Sequence, residues 1–418
     1  MYDAAVVGGG IVGSSVAYHL ARAGVDAILV DREDEGRATD AGAGILSPAT
    51  SSRTDSDPWF RFAVEAVGYY PDLVADLREE QDGDVGYDRC GLLSVAVDDE
   101  EVEAFDRAAD RIDERQRTLG EPDPDSYAEI SPKAARERFP ALAEVERAAY
   151  YDDAARVDGK LLTAALRRAG QRHGLEIRNA DAEELLVEEG AIAGVATDHG
   201  TVDADAAVVA GGAWSPAFGD QLGVDVPVEP QRGQIAHLDL ARGDASPAGA
   251  DGAGRDTGNW PIVSPFRGHY LVPWPGGRVA AGATRETGSG FAPHTTAGGV
   301  REVLDEALRV APGLADAELD EVRVVVRPLS SEDMWGSVPE PTRLSGKGVS
   351  AARTGRFPRR PRRRGSVRGD GTRRDRPPTG TVQRKAGGRV GSRFGAGDRR
   401  LGLRNRAVRV IPSAAPRR

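Results

Sequence analysis

The 418-residue sequence predicts a mixed α/β (α+β) fold, with a Rossmann-like dinucleotide-binding unit, a β-rich block and a disordered basic C-terminal tail. Three observations predict it. A glycine fingerprint lies between an apolar strand and a helix at the start of the chain. Short strand patterns run from Leu175 to Ala213 and again over 226–284. Beyond residue 340 the apolar periodicity stops. A single cysteine, Cys90, excludes a disulfide scaffold, a zinc ribbon and a Cys-ligated iron–sulfur cluster. No apolar run approaches the roughly 18–20 residues of a membrane-spanning helix. The opening MYDAAVVGGG enters a strand pattern with no basic leader region, so a cytoplasmic protein is expected.

The net charge of −11 joins two unlike segments. Residues 341–418 hold 24 basic and 3 acidic residues, whereas 1–340 hold 31 basic and 63 acidic ones. Lys133 and Lys160 are the only lysines of the acidic part. Acid excess with arginine in place of lysine suits a halophile-like acidic surface, which stays soluble at high ionic strength. An ordinary acidic protein from a GC-rich genome has the same composition.

Taken in order, Tyr2–Val7 reads as a buried strand, and Ser14–Ala23 as a helix with apolar residues at Val16, Ala17, Leu20 and Ala21. Gly24 then stands where a helix ends on a left-handed residue. A second strand over 26–30 leads into Asp31, completing a βαβ unit. The spacing predicts one amphipathic helix over 58–81, a strand over 91–97, charged helices over 99–117 and 131–139, and a helix over 160–173. Turns at Glu189-Gly190, His199-Gly200 and Asp203-Ala204-Asp205 divide the strands that follow. A helix is predicted over 299–311, a strand returns at 322–326, and the Gly- and Asp-rich 241–258 reads as a surface loop.

Gly8, Gly10 and Gly13 form G-x-G-x-x-G. The first glycine permits the tight turn, the second lets backbone approach a pyrophosphate, and the third allows close helix–strand packing. An acid to bind the ribose belongs about 20 residues on, and Asp31 occupies that place. The fingerprint alone does not separate FAD from NAD.

The segment Gly36-Arg37-Ala38-Thr39-Asp40-Ala41-Gly42-Ala43-Gly44-Ile45-Leu46-Ser47-Pro48 resembles the flavin-approach loop of the FAD-dependent D-amino acid oxidase (DAO) family. Further stretches repeat the resemblance in order: Val208–Ser215, Pro230-Gln231-Arg232-Gly233-Gln234, His269–Pro273 with Gly282-Ala283-Thr284, Thr296–Val300, and Val326–Ser330. Among members the sequence most resembles glycine oxidase, because Tyr70-Pro71, Cys90-Gly91-Leu92 and Thr296-Ala297-Gly298-Gly299 also fit. The resemblance implies noncovalent FAD, with a discontinuous cofactor domain (1–83, 155–226, 327–340) and an inserted antiparallel-sheet substrate domain (84–154, 227–326). It implies that Arg327 binds the substrate carboxylate and that Tyr270 helps to hold it. A guanidinium suits the task because its planar fork makes two parallel charge-assisted hydrogen bonds. Taken alone, an arginine at a strand end is usually solvated and a tyrosine beside Leu271 and Val272 is usually core.

In the matched relatives the backbone of Ile11, Val12, Ala38, Thr39, Ala43, Gly44 and Ile45 lines the cofactor. Asp31 and Arg32 would flank the ribose, Gly211 belongs to the second cofactor turn, and Ala182, at the start of an inner strand, would meet adenine. The implied reaction is oxidation of the Cα–N bond of glycine, a D-amino acid or a related secondary amine. Oxygen or a quinone-type carrier would take the electrons. A D-amino acid dehydrogenase or a hydroxy-acid-oxidising flavoenzyme would use the same carboxylate contact. The six histidines show no metal-ligand spacing, and Cys90 reads as a core thiol.

After Ser330 the relatives continue with a strand and a G-H-x-x-N-G loop that closes on the flavin. Neither is recognisable here; instead comes the arginine-rich 341–418. It is either a genuine basic tail that binds nucleic acid or an acidic partner, dominating a catalytically impaired protein, or a frameshifted gene end. The charge reversal where the family motif fails favours the frameshift.

Overall fold

Two sheets of different construction carry the molecule. The structure is a computed structural model that describes residues 1–51, 57–242 and 256–330, and the backbone of Arg409–Val410. The first elements are β1 (Ala4–Val7), α1 (Ile11–Arg22), β2 (Ala27–Asp31), α2 (Ala38–Ala41), β3 (Ile45–Leu46), α3 (Asp57–Gly68), α4 (Tyr70–Glu80), β4 (Tyr87–Arg89) and β5 (Leu92–Ala96). Then come α5 (Asp99–Leu119), β6 (Tyr127–Ile130), α6 (Pro132–Arg138), β7 (Arg147–Tyr151), β8 (Ala155–Val157) and α7 (Gly159–Arg172). Five short strands follow: β9 (Glu176–Asn179), β10 (Ala182–Glu188), β11 (Ala191–Thr197), β12 (Gly200–Asp203) and β13 (Ala207–Val209). The remainder is α8 (Pro216–Leu222), β14 (Val228–Asp239), β15 (Ile262–Pro265), β16 (Tyr270–Trp274), β17 (Arg278–Gly282), β18 (Glu286–Thr287), α9 (Ala297–Val310), β19 (Glu318–Ser330) and β20 (Arg409–Val410).

The first sheet is parallel, in the order β20-β13-β1-β2-β9. Its inner strands β1 and β2 are apolar until Asp31 and buried along their whole length, as a sheet covered on both faces requires. The second sheet has nine strands. β14 carries β17 and then β18 along one edge and β19 along the other. Period-two alternation gives it two apolar faces. On one, Leu238, Leu271, Val279 and Ala281 meet Val303, Ala307 and Val310 of α9. On the other, Ile235, Val272, Ala280, Val325 and Tyr270 meet Ala41, Ala43 and Ile45 of the loop predicted to approach the flavin. The sheet face therefore seats that loop directly. Smaller sheets, β3-β8-β4 and β10-β11-β12, complete the fold.

The mixed architecture and its parallel cofactor sheet agree with the sequence reading, and four details differ. The helix expected over 58–81 is two, α3 and α4, broken at Tyr69. Pro71 has no N–H to donate back along the ladder, so the break falls beside it. The return at 322–326 is part of a thirteen-residue strand, β19, which pairs with β14 as far as Ser330 and crosses the junction expected at 326/327. Ala182 begins an edge strand, not an inner one, because β10 joins β11 and β12 instead of the parallel sheet. Of the tail called disordered, Arg409–Val410 forms β20 beside β13; the rest of 341–418 lies outside the described residues, as does 243–255 of the expected surface loop. Among the described residues no helix is long and apolar enough to cross a membrane.

Candidate active site

At the C-terminal end of β1 the chain turns through Gly8 at φ +96°. A Cβ there would stand 2.6 Å from the Ala210 carbonyl oxygen and 3.0 Å from the nitrogen of Gly211, so the second cofactor turn lies against the first. A Cβ on Gly13 would meet the carbonyl oxygen of Gly8 at 1.8 Å. The outer glycines of the fingerprint are thus dictated by the chain itself. Gly10 caps α1 from an extended conformation and has no side chain to satisfy its amides. Thr39 Oγ1 accepts the Ile11 N–H at 2.9 Å, and Val12 completes that first turn. Gly211 itself has ordinary room for a Cβ, 3.4 Å from Ser215 N.

Asp31 ends β2, buried, and its carboxylate accepts from two arginines. Arg37 Nη1 donates to Oδ2 at 2.8 Å, and Arg167 Nη2, reaching in from α7, donates to the same oxygen. Arg167 also donates to the Gly9 carbonyl at 2.6 Å and to Ser14 Oγ at 3.2 Å. Neither arginine was named by the sequence reading. Arg37 stood in the quoted loop, but nothing near the fingerprint points to Arg167, which only the packing of α7 on α1 delivers. Arg32 turns instead to Asp34 and Asp181, with its guanidinium 5.5 Å from the Trp214 ring centroid. In the approach loop, Ala38 and Thr39 open α2, and Ala43 precedes Gly44 at φ +66°. A Cβ at Gly44 would lie 1.8 Å from the Val157 carbonyl oxygen, so β8 already demands glycine there. Ile45 pairs with Arg156 of β8. A dinucleotide diphosphate fits this corner: the α1 N-terminus lacks a side-chain cap from Gly10, and the turn is walled by glycines.

The second group of residues lies on the nine-stranded sheet. Arg327 of β19 stands opposite Gln231 of β14, and its Nη2 donates to Gln231 Oε1 at 2.6 Å and to the Thr284 carbonyl at 3.3 Å. Its Nε is buried without a hydrogen-bond partner, and no carboxylate pairs with it among the described residues. Burial pulls this guanidinium's pKa below the usual arginine value and Arg285 adds to the effect, while Tyr270 opposes it. Tyr270 of β16 lays its ring over Gly282, where a Cβ would stand 2.7 Å from the phenol oxygen. Burial pushes the phenol up to about 12, against the pull of Arg327 and Arg285, so it stays protonated and able to donate at neutral pH. Gln231 and Arg285 were missed. The alternation of β14 could have flagged Gln231, since it shares a face with Gly233.

The other face of β14 is differently furnished. Arg232 donates to Glu286 Oε2 through Nε (2.9 Å) and Nη2 (2.6 Å), and Gln234 Nε2 donates to Glu286 Oε1 at 2.6 Å and Thr296 Oγ1 at 2.8 Å. Thr296 caps α9 by accepting the Gly299 N–H. The P-x-R-G-Q stretch thus serves both faces: its even positions tie the hairpin and α9 to the sheet. A separate cleft, lined by Asp40, Ala43, Gly159, His237, Trp274 and Arg323, includes neither Arg327 nor Tyr270. Cys90 is half-buried and burial pushes its thiol up to about 11, which keeps it protonated and unreactive.

The DAO family profile, described as FAD dependent oxidoreductase, matches residues 3–348. The uncharacterized oxidoreductase YurR of Bacillus subtilis (strain 168) is 36% identical over 358 residues, 84% of this chain and 91% of that protein. Among solved structures, iminodiacetate oxidase (IdaA) from Chelativorans sp. BNC1 is 35% identical with a TM-score of 0.70, covering 78% of this chain and 84% of its own. Glycine oxidase from Bacillus cereus ATCC 14579 is 27% identical with a TM-score of 0.67, covering 79% and 84%.

Proposed function

The chain belongs to the DAO family of FAD-dependent oxidoreductases, and we propose that it oxidises the Cα–N bond of a small carboxylate-bearing amine: glycine, a D-amino acid or a secondary amine of the iminodiacetate kind. The observation that carries this reading is the part-buried guanidinium of Arg327, which no carboxylate neutralises among the described residues, beside the protonated phenol of Tyr270. Both project from the sheet face that seats the 43–45 loop. A substrate carboxylate completes the arrangement: Arg327 contributes charge and a planar fork, and Tyr270 a hydroxyl donor.

Bound FAD supplies the acceptor for the two electrons that leave Cα as hydride. The protein's part is to bind and orient. Gly8, Gly10, Ile11, Val12 and Gly13 would receive the diphosphate, and Asp31 the ribose hydroxyls, with Ala38, Thr39, Ala43, Gly44, Ile45 and Gly211 beside them. Arg32 and Ala182 are the outer contacts of the same assignment. Arg327 and Tyr270 fix the carboxylate and hence Cα. Loss of hydride from Cα and of a proton from nitrogen leaves an imine, which water hydrolyses to a carbonyl compound and ammonia, or an amine where the substrate is a secondary amine. Oxygen or a quinone-type carrier removes the electrons afterwards. The cofactor domain would comprise 1–83, 155–226 and the segment from 327, and the substrate domain 84–154 and 227–326.

Arg327→Ala tests the reading. With glycine, D-alanine and iminodiacetate as trial substrates, kcat/KM for whichever is oxidised should fall by about 100- to 1,000-fold. Flavin content should be unchanged. An unaltered kcat/KM would remove the carboxylate contact, and with it the substrate class.

A further inference from the structure

Three strands bring three side chains into one row. In the register of β14, Gln231 stands opposite Arg327 on one edge and opposite Thr287 on the other. Gln231 is buried, its Oε1 accepts from Arg327 Nη2 at 2.6 Å, and its Nε2 donates to Thr287 Oγ1 at 2.9 Å. A guanidinium only donates, so the amide must turn its oxygen towards Arg327. The Thr287 hydroxyl, by accepting from the amide nitrogen, holds that orientation.

We infer that Gln231 is the positioning residue for Arg327, a neutral clamp that fixes the guanidinium while leaving its charge for a substrate carboxylate. The inference rests on the reading that Arg327 binds that carboxylate. The chemistry of the choice is specific. A glutamate here would be a matching acceptor of almost identical shape, but it would neutralise Arg327 and compete with substrate. The same strand does use a full ion pair, Arg232 with Glu286, on its other face, where the task is to tie the hairpin to the sheet. An amide gives one hydrogen bond to Nη2 and leaves the rest of the part-buried guanidinium, with no carboxylate on it among the described residues, for the ligand. A carboxylate that reaches it therefore finds an oriented donor and pays little side-chain entropy.

The test titrates FAD-loaded enzyme with acetate, a carboxylate without an amine, and reads binding by calorimetry. Gln231→Glu should weaken acetate at least about tenfold through the competing charge. Gln231→Leu, which removes the acceptor and keeps the volume, should weaken it about threefold to tenfold. Flavin content and FAD affinity should be the same in both variants as in the wild type. A purely structural role would lower these too. If Gln231→Glu fails to fold, Gln231→Leu decides alone. Acetate affinity within twofold of wild type in the folded variants overturns the inference, as does an equal loss of FAD affinity. Arg327→Ala is the control: if it too leaves acetate unchanged, the failure belongs to the proposed function and not to the clamp.

Discussion

The two ends of the proposed site treat charge in opposite ways. At the cofactor end, Asp31 is matched twice over, by Arg37 and Arg167, and those arginines are engaged in turn by Asp40, Glu33 and the Gly9 carbonyl. At the substrate end, Arg327 meets only a neutral amide and a backbone carbonyl among the described residues. The first region is electrically complete within the chain. The second, on the proposed assignment, would be completed by a ligand anion, and its part-buried cation carries a desolvation cost until one arrives. On that assignment a prebuilt, closed network would serve constancy of the cofactor, and an open one the release of an anion at each turnover.

The harshest way to break the contrast is at the turn that anchors its closed half. Gly13→Val would drive side-chain carbons into the Gly8 carbonyl, where even a Cβ has 1.8 Å. Neither partner can yield, since Gly8 is itself wedged against Ala210. The expected outcome is a loss of more than about 3 kcal/mol in urea unfolding and a purified protein without flavin absorbance.

A second pair of substitutions sharpens the comparison. Asp31→Asn removes the buried carboxylate that both arginines share, leaving Arg37 to Asp40 and Arg167 to Glu33, and should cost about 1.5–3 kcal/mol of stability, with weaker FAD retention. Arg327→Ala removes a part-buried cation that has no counter-ion among the described residues, so its stability should stay within about 1 kcal/mol of wild type. Urea midpoints of the two variants measured side by side decide it. Equal losses would erase the distinction between a closed and an open network.

Much of this was legible in residue order, and the physical reason is locality. Gly8, Gly13 and Asp31 are linked by one βαβ unit of fixed geometry, so their spacing carries their meaning. The Thr296 cap of α9 is equally local. Arg167 was invisible because its partner is 136 residues away and only the packing of α7 on α1 joins them. Gln231 lay inside a quoted motif, yet its role depends on register with β18 and β19, which a single-strand pattern does not fix. Ala182 was placed on an inner strand for the same reason, while sheet order puts β10 at an edge. The site's local half is written in the sequence, and its cross-strand half in the sheet.

His237 probes the place where the two regions meet, and with the smallest effect. It lies on β14, on the Gln231 face, and lines the cleft with Asp40 and Gly159 from the cofactor side and with Trp274, Arg278 and Arg323 from the sheet. Burial, reinforced by Arg323 and Arg278 against Glu321 and Asp320, brings its imidazole down to about 4. In the unfolded chain it titrates near about 6.5. Above that pH both states are neutral and the residue is without cost. As the pH falls from about 6.5 to about 4, the unfolded chain takes up a proton that the folded one refuses, so stability declines across that window. The partial exposure of the ring limits the loss to about 1–2 kcal/mol. His237→Gln keeps a polar side chain and has no titration, so its stability should fall less between pH 7 and pH 4.5, while carboxylates contribute equally to both proteins. The difference between the two urea-unfolding curves isolates the histidine. Curves that run parallel across the window would mean that the cleft admits enough water to protonate His237 in the folded state, and that the two regions meet across solvent and not across a dry seam.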